Sequence, residues 1–211
     1  MFRANSIRNC TESLAAVILI IKIIQTNSIY DIAVFASAMI VHELFHFICA
    51  KCVGMKVVLR GMSLFGPDIR MEDEKNLYKR LIVCSGGVVG NLMCAAISIL
   101  YSSVNRSVDT YYFTCCNLLI AAINLIPSFP LDGGRILYCV FESIFGRTKA
   151  VRYTATAGNL IATVIFVFGI YVFLFYTDNV LLPVLGIFMI YKNEKEINSV
   201  NTQYVKSLLS S

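Results

Sequence analysis

Apolar runs broken by short polar segments organise this chain. A membrane span takes about 20 apolar residues, and six stretches come near that, at 11–29, 31–50, 81–101, 110–127, 153–176 and 178–191. The first is interrupted by Lys22, and the last is short and contains Pro183. The pattern predicts an all-α polytopic membrane protein, a single 1–211 domain with about six transmembrane helices and no internal repeat. One sizeable polar insertion, 51–80, parts the second run from the third. Its stretch MKVVLRGMSLFG is rich in β-branched and apolar residues around Gly61, which predicts a short β-hairpin at the membrane surface. MEDEKNLYKRL then reads as an amphipathic lead-in to the third span.

Composition agrees with lipid as solvent. The chain is 57% hydrophobic and 15% charged, against about a quarter charged in ordinary globular domains. Net charge is +5, which would suit nucleic acid or an anionic membrane. The positions of the charges decide for the membrane. Of 18 Lys and Arg, all but two fall in four segments: the N-terminal tail, 51–80, 128–152 and the stretch after 191. Arg106 stands alone on the opposite side, and Lys22 lies near the outer end of the first run. The positive-inside rule then sets both termini in the cytosol, with no nucleic-acid partner. No cleavable signal peptide is evident. The 8 cysteines lie mostly within apolar runs, as expected of small buried hydrophobes in a reducing compartment. Cys49-x-x-Cys52 also has the spacing of a metal or redox pair, a weak signal by itself.

Ionisable groups at membrane depth mark function more often than decoration. AMIVHELFHFICAK carries the only 2 histidines of the chain, in His42-Glu43-x-x-His46. Four residues apart on a helix, His42 and His46 share one face and can turn both imidazoles on one metal. Glu43 is placed to act as general base on a water there. Zinc with an open position takes three protein ligands. No third histidine exists, so the remaining ligand is a carboxylate or, as a weaker option, a thiolate. Glu43, Asp132 and Glu142 are the carboxylates in or beside the relevant apolar runs. Asp132 stands in NLIPSFPLDGGRIL, where Pro127 and Pro130 break the helix and Gly133 and Gly134 permit a turn. Irregular backbone at membrane depth is tolerated where it is buried or lines a watery cavity. A plain turn at a helix end would have the same sequence.

HELFH on the second run and NLIPSFPLDGG after the fourth resemble the site-2 protease family of intramembrane zinc metalloproteases, closest to its stage IV sporulation branch. CSGGVVGNL at 84–92 is similar to the family's glycine-rich, asparagine-containing helix. The resemblance implies one Zn2+ held by His42, His46 and Asp132, with Glu43 catalytic and Asn124 orienting substrate or donating to the oxyanion. It implies a membrane-tethered or membrane-embedded protein substrate cut near the cytosolic face, a pro-sigma factor of sporulation among the candidates, in a bacterial cell membrane such as the mother-cell membrane around the forespore. Inhibitory or regulatory membrane proteins are further implied partners. Neither a PDZ domain in 51–80 nor a CBS region after the last span is expected. A metal transporter or a metal-binding scaffold would use the same ligands. A transporter would need more donors along a path, and a scaffold could dispense with Glu43 or Asp132.

Overall fold

The computed structural model describes residues 29–55, 57–63, 66–71, 76–104, 107–176 and 180–209. The expected 11–29 span lies outside them but for its last residue. The chain divides into two compact units, Met1–Leu125 and Ile126–Ser211.

In the first unit, helix α1 (Ile29–Cys52) is followed by strands β1 (Val57–Ser63) and β2 (Gly66–Met71), then α2 (Leu77–Val104) and α3 (Val108–Asn124). Asp31 in the first turn of α1 and Lys51 in its last suit the helix dipole. The helix stops in a Schellman turn. Gly54 has φ +70°, its N–H reaches the Lys51 carbonyl at 3.0 Å, and the Met55 N–H reaches that of Ala50 at 2.9 Å. Met55 and Ala50 pack together with Val83 of α2, the apolar contact that accompanies such caps. Asn76 starts α2 by accepting from the amides of Tyr78 and Lys79. Ser107 starts α3 by accepting from the Thr110 amide at 3.2 Å.

The two strands pair antiparallel, with Leu59 opposite Ile69 and Gly61 opposite Asp68. The register shifts between Leu59 and Gly61. Gly61 therefore lies beside a bulge inside β1, and the reversal comes later in the chain than a turn at Gly61 would place it.

The second unit contains α4 (Asp132–Phe145), α5 (Arg147–Phe175) and α6 (Leu181–Leu209). Small buried residues, Ala150, Ala155, Gly158 and Ala162, line one face of α5. At Gly158 a Cβ would meet Asn193 of α6, so a small residue there lets the two helices approach closely. Leu185, Met189, Asn193, Glu196 and Val200 form the buried stripe of α6 at helical spacing.

Among the described residues, three helices are long and apolar enough to cross a membrane: α1, α2 and α5. The fold is helical, but this falls short of the six expected spans. At 17 residues α3 is about 25 Å long, less than the hydrocarbon core. It ends three residues before the expected 127, because Pro127 disfavours helical backbone at Ile126. Two expected polar segments prove helical. The 128–152 loop contains α4 and the start of α5, and the tail after 191 continues α6 to Leu209. Gly133 and Gly134 suggested a turn, yet they lie in the first turn of α4, where amides have no intrahelical partner to lose.

Candidate metal centre

His42 and His46 lie one turn apart on the buried face of α1, 1% and 6% exposed. Their Nε2 atoms are 3.2 Å apart, and the rings stand nearly perpendicular at 84°. What aims them comes from α2 and α3.

The Nδ1 of His42 is 2.7 Å from Oδ1 of Asn91. The Asn91 amide donates to the Ala38 carbonyl at 3.1 Å and to Oδ1 of Asn117 at 2.8 Å. Asn117 in turn donates to the Phe113 carbonyl at 2.9 Å. The two backbone carbonyls can only accept, so the polarity of the relay is fixed from its ends. Oδ1 of Asn91 must face the imidazole, Nδ1 carries the hydrogen, and the Nε2 lone pair points away. His46 is held the same way, its Nδ1 2.7 Å from the Val83 carbonyl. The Gly87 amide also lies 3.3 Å from this Nδ1. With Nδ1 protonated, the shorter contact to Val83 is the hydrogen bond.

Both Nε2 atoms are then acceptors facing one place. Two such lone pairs at 3.2 Å repel each other unless a cation lies between them. Nitrogens about 2.05 Å from one tetrahedral zinc would be about 3.3 Å apart, so the pair fits zinc. Locking the far nitrogen of each imidazole is the usual support for a metal-ligating histidine.

Glycines bring the helices close enough for this. A Cβ at Gly87 would fall on both imidazoles, and one at Gly90 would fall on the Phe45 ring. At Gly86 a Cβ would be 2.9 Å from Cys49 Sγ. The CSGGVVGNL stretch is therefore the surface of α2 that meets the HELFH surface of α1. Glu43, next to His42, is half-buried. Asn124, the last residue of α3, is buried and donates to the Ile120 carbonyl at 3.0 Å.

In the second unit, Asp132 opens α4 and is fully buried. Arg135, one turn on, holds its guanidinium 3.6 Å from the Asp132 carboxylate. The helix N-terminus also favours a negative charge there. Glu142, another candidate carboxylate, is half-buried and accepts the Tyr138 hydroxyl at 2.6 Å, one turn away on α4. Cys49 and Cys52 are both free thiols. Sequence reasoning noted the glycines and asparagine of 84–92 but gave Asn91 no task, and it missed Asn117. A polar amide amid small and apolar residues was the available signal.

Residues 90–171 match the model of peptidase family M50. A zinc metalloprotease of Methanocaldococcus jannaschii is 27% identical over 92% of this chain and 58% of its own length. Stage IV sporulation protein FB of Bacillus subtilis is 30% identical over 54% of this chain and 41% of its own. The chain thus spans less than two thirds of each of these relatives. The solved structure of the site-2 protease from M. jannaschii superimposes with a TM-score of 0.64 at 25% identity, covering 87% of this chain and 86% of that one. Together with the HELFH helix, these likenesses make the chain similar to the site-2 proteases of peptidase family M50.

Proposed function

We propose that the chain is an intramembrane zinc metalloprotease in which His42, His46 and Asp132 hold one Zn2+. The observation that carries this is the convergence of the two imidazoles, each with its far nitrogen tied back. Asp132 suits the third place as a buried carboxylate fixed at a helix start, and the M50 likeness spans it. Bound zinc supplies a Lewis acid that polarises a carbonyl and acidifies water. Glu43 takes the proton of the attacking water and then delivers it to the leaving amine. Asn124 orients the substrate backbone or donates to the oxyanion.

Further features of this reading rest on the sequence pattern. The charge asymmetry supports about six spans with both termini in the cytosol. His42 is nine residues before Lys51, about 13 Å along the helix, which suits a cut within the cytosolic half of the bilayer. An extended substrate could add to the β1–β2 hairpin at the membrane surface. The likeness to a sporulation protein supports a membrane-tethered precursor, such as a pro-sigma factor, as substrate.

The test is Glu43→Gln. Membranes carrying the variant are expected to accumulate uncut precursor with zinc still bound, the rate falling at least about 10²–10⁴-fold. Near-normal cleavage would overturn the role of Glu43.

A further inference from the structure

Asn193 has no part in the chemistry above, and in the sequence it stands in the polar run KNEKEIN. In α6 it is nonetheless fully buried, and both ends of its amide are engaged. Oδ1 accepts the Phe129 N–H at 3.0 Å, and Nδ2 donates to Oγ of Ser128 at 2.9 Å. Both partners belong to the irregular segment that leads into Asp132.

That segment has few other ways to be held. Pro127 and Pro130 have no N–H to donate. The Ser128 amide is used within the segment, on the Ile126 carbonyl at 2.8 Å. The Phe129 amide is the next donor, and it goes to Asn193. Ser128 is fully buried and touches the surrounding helices. A Cβ at Gly158 of α5 would be 2.8 Å from both Ser128 Oγ and Asn193 Nδ2. One at Gly134 of α4 would be 2.5 Å from the Ser128 carbonyl carbon and oxygen. The hold is passed on: the Leu131 amide donates to the Ser128 carbonyl at 2.9 Å, and the Arg135 amide to the Leu131 carbonyl at 3.2 Å. Asp132 follows Leu131 directly.

The geometry points to Asn193 as the positioning residue of Asp132: by pinning Ser128 and Phe129 from 65 and 64 residues away, it fixes the start of α4 and with it the carboxylate. Gly158 keeps the space for this lock. The inference rests on the reading of Asp132 as a zinc ligand. It concerns a residue that touches neither metal nor substrate.

The experiment uses full-length protein in lipid nanodiscs, comparing wild type, Asn193→Ala and Gly158→Ala. The second variant crowds the lock without removing a hydrogen-bonding group. Zinc affinity is measured by chelator competition, and amide exchange is followed in the zinc-free protein. Both variants are expected to weaken zinc at least about tenfold and to speed exchange across 126–134, with 36–50 and 81–95 unchanged. Should Asn193→Ala fail to fold, Gly158→Ala carries the same test. Wild-type zinc affinity in the variants would overturn the proposal. So would unchanged exchange at 126–134, or exchange that quickens equally throughout the chain. Wild-type protein that binds no zinc would instead refute the ligand reading, while the exchange result would still decide whether Asn193 fixes the loop.

Discussion

The His42–His46 pair and Asp132 are held by opposite means. The histidines sit mid-helix on α1, where regular backbone sets their spacing and the neighbouring α2 supplies Val83, Gly87 and Asn91 to orient the rings. Asp132 follows a proline-broken segment whose shape depends on a distant amide in α6. A helix needs little help to place two residues four apart. An irregular segment needs outside partners for the polar groups that its own backbone leaves unpaired. The first kind of support is expected to fail most steeply by crowding at the helix contact, and the second by either crowding at Gly158 or loss of one hydrogen-bond partner, Asn193.

Crowding should give the largest effect. Gly87→Ala puts a methyl group where the imidazoles lie, so one ring or the helix contact has to move. Zinc binding is expected to fall below detection, and overpacking to cost about 1–3 kcal/mol of stability. Retained zinc affinity would mean that the close approach of α2 is not what aligns the rings. Next comes Asn91→Ala, which leaves the space but frees Nδ1 of His42. Zinc affinity is expected to fall about 10–100-fold, read by chelator competition, with the helical signal in circular dichroism unchanged.

These expectations follow the line between what was legible in the sequence and what was not. His42 and His46 were readable as a facing pair because the motif brings its own spacing, and the helix break before Asp132 because prolines flag irregular backbone. The glycine-rich stretch could be noticed, yet which helix it faces is a tertiary fact, so the Asn91–Asn117 relay stayed hidden. Asn193 was beyond reach, since its partners are more than 60 residues away and its neighbours in the sequence are charged. Helix α4 was missed for a related reason. Gly134 serves a close approach to the Ser128 backbone, while in a linear reading the Gly133–Gly134 pair signals a turn.

Two smaller effects sharpen the contrast by leaving both supports intact. Gly54→Ala strains the left-handed position that ends α1, where no atom would obstruct the new Cβ. It is expected to destabilise by about 1–2 kcal/mol, seen as a lower melting temperature, with the zinc affinity of the folded protein unchanged. A weaker zinc site in this variant would show that the cap, through Ala50, Met55 and Val83, also sets the ring geometry. The smallest change is expected from replacing Cys49 and Cys52 with serine, since both are free thiols. Cleavage and zinc content should stay within a small factor of wild type.

X-ray absorption at the zinc edge reads the atoms around the metal directly. Purified wild-type protein is predicted to hold one zinc per chain with nitrogen and oxygen neighbours at about 2.0–2.2 Å and an imidazole scattering pattern. Asp132→Ala should lose an oxygen neighbour and most of the bound zinc. A sulfur neighbour at about 2.3 Å, or full occupancy and an unaltered spectrum in Asp132→Ala, would contradict the assignment.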